Sequence, residues 1–116
     1  MWTKLVKEGA ILFERCRVAQ TFISRFLGLM GKKHLPENEA IVFPNCSSIH
    51  TFFMRMPIDV VYVSAHGQVV KILLGLKPWR MLLPVKQAVH VIEMSARMTE
   101  RKNICVGDSL NCPGVF

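Results

Sequence analysis

No Cys-x-x-Cys pair occurs among the four cysteines, Cys16, Cys46, Cys105 and Cys112. That absence argues against a zinc ribbon and against a thioredoxin-like redox site. The expected state is four reduced, mostly buried thiols, although spacing alone also permits a disulfide between Cys105 and Cys112. No apolar run reaches the roughly 20 residues of a membrane helix. The N-terminus, Met1-Trp2-Thr3-Lys4-Leu5-Val6-Lys7-Glu8, alternates apolar and polar residues and lacks the apolar core of a signal peptide, so a cytoplasmic protein with no membrane partner is expected. The glycines form no phosphate loop, and the signatures of papain-like proteases and α/β-hydrolases are missing. Acidic residues are scarce, 8 against 15 Lys and Arg, which leaves a net charge of +7. Yet the densest basic clusters, Lys32-Lys33 and Arg101-Lys102, are two residues long, with no interleaved aromatics. This distribution reads as a solvated surface, and nucleic-acid binding stays as an alternative. With no repeat, low-complexity stretch or linker, residues 1–116 read as a single domain.

What is present is a composition that is 51% apolar and 20% charged, enough to drive a packed core. The apolar runs are short, often alternate, and are rich in Val, Ile and Phe. Turn residues interrupt them every 8–12 positions or so, the spacing of a sandwich or barrel. Strands are predicted at 2–7, 10–18, 40–43, 49–54, 58–63, 68–74 and 89–94. A last hairpin is predicted from 104–106 and 109–112, and a helical turn within 95–102. Between 21 and 30 the period changes: Phe22, Ile23, Phe26, Leu27 and Met30 follow helical spacing, with Gly31 as a stop. The expected fold is therefore mainly β, a jelly-roll-like sandwich or partly open barrel with two packed layers and one short helix at about residues 21–30.

Asp59 is the most informative residue. It stands in Pro57-Ile58-Asp59-Val60-Val61-Tyr62-Val63, where alternation puts Asp59, Val61 and Val63 on one face and Ile58, Val60 and Tyr62 on the other, and both faces are expected to be buried. A buried carboxylate without company is costly, so Asp59 requires a cation or several hydrogen-bond donors. Arg25, on an otherwise apolar helix, poses the mirror problem, and the two are expected to pair directly or through backbone groups. That pair is either a structural tie between helix and sheet or part of a polar site, the remaining alternative being simple exposure of one or both residues. His50 shares a strand face with Phe52 and Met54, which suits a hydrogen-bonded core histidine. Should Cys46 or Ser48 fold back toward it, a nucleophile–base pair arises, with Asp59 as orienter. His90 and Glu93, three apart in a strand, face opposite ways and make no local metal pair. No metal and no cofactor is expected, and the methionines read as core filler.

These residues carry a resemblance. Arg25-Phe26-Leu27-Gly28-Leu29-Met30 resembles an R-x-x-G-L-M helix motif. His50 to Val63 resembles a segment of the form H-T-x-x-M-x-x-P-I-D-V-V-F. The stretches His66 to Val70, Lys77-Pro78-Trp79-Arg80, Val91-Ile92-Glu93 and Val106 to Leu110 fit as well. Across about residues 10–112 the chain is similar to the bacterial and archaeal domain of unknown function 192. The resemblance implies a compact, mainly β sandwich or partly open barrel with a small helix, and no established reaction, substrate or cofactor. Two departures stand out. Met94-Ser95-Ala96-Arg97 occupies a stretch where the family usually places a small residue and a glycine, and Phe53 replaces a usual glycine or tryptophan.

The function expected from all this is a ligand-binding or interaction module. Its ligand, a small molecule or an extended peptide, would be held near Arg25, His50, Thr51, Met54 and Asp59. The enzymatic alternative is a small hydrolase or transferase using His50 and Asp59 with Cys46 or Ser48.

Overall fold

A computed structural model of the chain describes residues 1–20, 35–47 and 56–116. The helix predicted over 21–30, the strand predicted over 49–54, and with them Arg25, Ser48, His50, Thr51 and Met54 lie outside the described residues.

Local sequence dictates the first hairpin. β1 (Trp2–Lys7) and β2 (Ala10–Val18) pair antiparallel with Lys7 opposite Ala10, which leaves Glu8 and Gly9 as a two-residue turn. Both have positive φ, 50° and 81°, the backbone that matches the right-handed twist of a tight hairpin. β3 (Glu39–Phe43) runs parallel to β2 after a crossover. β4 (Ile58–Val63) and β5 (Val69–Leu76) form a second hairpin, and β4 also pairs with β6 (His90–Ser95), which in turn pairs with β3. A four-residue helix, α1 (Met98–Arg101), follows β6, and β7 (Leu110–Asn111) pairs with β1.

The seven strands of the described residues make one sheet in the order β5-β4-β6-β3-β2-β1-β7. The sheet curls until its two outer strands meet. Val69 N–H donates to Asp108 O at 2.8 Å, Gly107 N–H to Val69 O at 2.8 Å, and Leu110 N–H to Gly67 O at 2.8 Å. Beyond this seam β5 diverges. The result is a curled half-barrel, which corresponds to the partly open barrel of the sequence-based expectation rather than to two separate packed layers.

Every strand contributes to the cluster inside the curl, which includes Leu5, Phe13, Ala40, Val61, Ile92 and Leu110, with Met98 of α1 inserted at one end. A second cluster, with Ile41, Phe43, Ile58, Val60, Tyr62 and Val91, covers the opposite face of the central strands, against Leu82 and Val85 of the excursion between β5 and β6. Burial on both faces explains why all six residues of β4 are inaccessible to solvent.

The seam has one steric requirement. Gly67 has φ 86°, and a Cβ placed there would run into the carbonyl oxygen of Leu110 and press on the ring of Phe116. Because the obstacle is backbone, it cannot rotate away. Gly67→Ala is therefore expected to lose roughly 2–3 kcal/mol, measurable by urea unfolding. Wild-type stability in the variant would show that the seam is not closed in solution.

Two segments differ from the sequence-based reading. Residues 104–106 form a turn rather than a strand, because Ile104 N–H is taken by Thr99 O (2.8 Å) and Cys105 N–H by the Asp108 carboxylate (2.7 Å). β5 runs on to Leu76 by way of a bulge at Leu74 and Gly75, which together oppose Asp59 alone: Ile58 faces Leu76, and Val60 faces Leu73.

Candidate functional site

Asp59 is fully buried and has three donors. Its Oδ1 accepts Gly75 N–H at 2.9 Å, while its Oδ2 accepts Thr99 N–H at 3.1 Å and the Thr99 hydroxyl at 2.6 Å. The bulge in β5, with Gly75 at φ 57°, presents that amide to the carboxylate. Thr99 lies in the first turn of α1, where amides have no intrahelical acceptor. The requirement for company is thus met by two backbone amides and a hydroxyl. The helix that Asp59 ties to the sheet is α1, across the end of the barrel.

A groove of about 490 Å³ opens over this junction, lined by Pro57, Asp59, Leu74, Gly75, Lys77, Pro78, Ala96, Arg97 and Glu100. Its walls are largely apolar and its rim is charged. Arg97, exposed and immediately before α1, has φ 75° in the left-handed region. This is the stretch in which the resembling family usually carries glycine, and the structure shows what glycine would relieve: an arginine Cβ in that conformation costs of the order of 1 kcal/mol.

A second polar place lies on the other face of the central strands. Glu93 is buried opposite Val60, in a cross-strand row running Arg17, Ile41, Glu93, Val60. Burial pushes its carboxyl up to about 8, against a smaller opposing pull from Arg17. Glu93 is therefore mostly protonated at neutral pH. Tyr62, a diagonal neighbour on the same face, is also fully buried, and its hydroxyl has no hydrogen-bond partner among the described residues. Burial raises that hydroxyl to about 12, and the charges of Glu93 and Cys46 add to the effect.

The remaining candidates disperse. Cys46 is half-buried, and its N–H donates to Val89 O at 2.8 Å, while Val89 N–H donates to Val63 O. Cys46 therefore sits at the Val63 end of β4. Asp59 is four residues away along the strand, roughly 13 Å. His90 accepts Asn45 N–H on Nδ1 at 3.1 Å and stacks on Phe116 with ring centres 5.0 Å apart, and burial lowers its pKa, so it is a neutral, structural histidine. The four cysteines form no disulfide; against the expectation of mostly buried thiols, Cys16 and Cys112 are buried, Cys46 is half-buried and Cys105 is exposed. Cys16 and Cys112 lie together in the barrel interior, where the Cys112 side chain and burial hold the Cys16 thiol well above its usual range. Among the described residues no three His, Cys, Asp or Glu side chains gather as a metal-binding group. None of their helices is long and apolar enough to cross a membrane.

Sequence reasoning passed over Tyr62, and weighed Glu93 only as a possible metal ligand and as part of a motif. The signal for Glu93 was of the same kind as for Asp59, a single charge in the strand Val91-Ile92-Glu93-Met94. For Tyr62 no local signal exists, because a tyrosine among valines is ordinary strand material.

A curled half-barrel with a capped end, a groove at the cap and no assembled catalytic group among its described residues defines a small, mainly β domain of unknown function. The chain belongs to the family described as "Uncharacterized ACR, COG1430", domain of unknown function 192, whose model matches residues 4–112. It is similar to a UPF0127 protein of Pyrococcus furiosus, 35% identical over 112 residues that cover 90% of this chain and 92% of that one. A UPF0127 protein of Thermococcus sibiricus is 34% identical, covering 90% and 70%. Two crystal structures share the fold. One is a protein of unknown function from Novosphingobium aromaticivorans (TM-score 0.79, 20% identity, 96% of this chain and 84% of that one). The other is a putative transcription regulator from Sinorhizobium meliloti (TM-score 0.80, 17% identity, 98% and 94%).

Proposed function

We propose that this domain is a ligand-binding module that uses the groove over the Asp59–Thr99 junction to hold a small molecule or peptide bearing a carboxylate. The observation that carries the reading is Arg97. A side chain is kept where the backbone favours glycine, and it stands on the rim of an apolar groove of a size that suits a small ligand. Left-handed non-glycine residues cluster at binding and active sites, and Arg97 is the one that stands at the rim of this groove. Leu74, Pro57, Pro78 and Ala96 supply apolar contact, and the guanidinium supplies a bidentate grip on a carboxylate. In the proposed cytoplasmic setting the four thiols stay reduced. The hydrolase alternative gains nothing from the described residues, since Cys46 and Asp59 stand at opposite ends of β4.

The test compares Arg97→Gly with the wild type. The variant is expected to gain roughly 0.5–1 kcal/mol of stability by relieving the left-handed residue. In ligand-observed NMR with a set of small carboxylates, a subset of hits on the wild type is expected to disappear in Arg97→Gly and to be blocked by Ala96→Trp. A screen in which no carboxylate depends on Arg97 and Ala96 would end the proposal.

A further inference from the structure

We infer that the chain carries a second, separate ligand site, a cleft between β5 and the excursion that follows it, built to take an aliphatic carboxylate. The cleft, about 420 Å³, shares no lining residue with the Asp59 groove. Tyr62 lines it, fully buried and with its hydroxyl unpaired among the described residues. A buried hydroxyl without an acceptor forfeits a hydrogen bond that water would have supplied, so its retention points to an acceptor that arrives with a ligand. Lys71 lies directly across the β4–β5 ladder from Tyr62 and so shares its face, and Lys86 reaches the cleft from the excursion. Neither lysine takes part in the ion pairs found among the described residues.

Tyr62, Lys71 and Lys86 together offer donors and positive charge, and no acidic side chain is among the residues found lining the cleft. The rest of the lining is aliphatic. Leu82 and Val85 pack on the sheet, while Met81 and Leu83 remain 68% and 81% exposed, a large apolar surface. The excursion is anchored there, with Val85 N–H donating to Ser47 O at 3.2 Å and Ala88 N–H to Val85 O at 3.1 Å. The charge pattern selects an anion and the walls select a hydrocarbon body. An inorganic ion would leave the leucines uncovered, and a neutral hydrocarbon would leave the hydroxyl unpaired. The occupant that satisfies both is a carboxylate on a short alkyl chain.

Tyr62 is the only tyrosine in the chain, so its ring is a site-specific reporter. The experiment titrates octanoate into protein labelled at tyrosine Cζ and follows the single resonance by NMR. A saturable shift is expected with octanoate, and none with acetate, which lacks the body, or with octylammonium, which reverses the charge. Lys71→Gln with Lys86→Gln is expected to weaken octanoate at least about tenfold, the consequence of losing charged partners. Tyr62→Phe, followed through backbone amides of residues 81–86, is expected to weaken it several-fold while the melting temperature holds or rises. No saturable shift with octanoate, an equal response to octylammonium, or unchanged affinity in the lysine double variant would each overturn the inference. The Arg97 variants are expected to bind octanoate here as the wild type does. A loss in those variants would move the binding to the other groove and overturn this site.

Discussion

Asp59→Ala is expected to remove about 3–5 kcal/mol of folding stability, the loss characteristic of a buried group whose partners are left unsatisfied. The reason is geometric. Two amides and a hydroxyl converge on one carboxylate, and alanine leaves the Thr99 amide and hydroxyl buried without an acceptor and takes the acceptor from the part-buried Gly75 amide. In a domain of this size that corresponds to a fall of roughly 12–20 °C in melting temperature. Asp59→Asn keeps the shape and one acceptor oxygen but turns an amide donor toward an existing donor, so a smaller loss of about 1–3 kcal/mol is expected. Thr99→Val removes only the 2.6 Å hydroxyl bond and should cost about 1–2 kcal/mol. The two sites share a bond, so the double variant Asp59→Ala, Thr99→Val should lose less than the sum of the single changes. Urea unfolding of the four proteins decides the matter. Strict additivity, or an Asp59→Ala protein as stable as the wild type, would mean that the carboxylate does not hold α1 to the barrel.

Glu93→Gln carries the opposite sign. A carboxyl raised from 4.5 to about 8 by burial binds its proton more tightly in the folded chain than in the unfolded one. Below the unfolded value both states are protonated and the group costs nothing. Between the two values the folded state holds a proton that the unfolded state has released, so stability falls as pH rises, and the fall is complete once the folded value is passed. The loss amounts to roughly 3 kcal/mol by pH 7 and roughly 5 kcal/mol by pH 9. Glutamine is uncharged at every pH and nearly isosteric, so the variant should match the wild type near pH 4 and exceed it increasingly above. Melting curves from pH 4 to 9 test this. A variant less stable than the wild type at pH 9 would show that Glu93 is ionised in the fold and favourably paired with Arg17. A residue that costs this much at working pH, beside a hydroxyl with no partner, is the kind of group a fold keeps for use rather than for stability.

How far the architecture could be read in advance follows from how local its causes are. β1, β2 and β4 were legible to the residue because alternation and tight turns act over two to ten positions: Glu8-Gly9 closes the first hairpin, and Pro57 precedes β4. The end of β5 was not, because Gly75 reads as a breaker in the chain, whereas in the fold it forms a bulge whose amide has a distant carboxylate to satisfy. Residues 104–106 have strand composition, but Thr99 and Asp108 claim their amides first. For the candidate sites, a charge in an apolar strand announced that Asp59 needed partners. It did not say which, since Gly75 and Thr99 are 16 and 40 positions away. Arg97 was visible as a departure from a family pattern, and only the backbone showed its left-handed conformation.

By itself, then, the sequence determined a mainly β domain, the placing of most strands and the burial of both faces of β4, all consequences of period and hydropathy along the chain. The closing of the sheet at Gly67, the three donors on Asp59, the unpaired hydroxyl of Tyr62 and the two grooves were decided only in three dimensions. Each depends on residues brought together from strands far apart in the chain, and no spacing rule along a single strand encodes such a meeting.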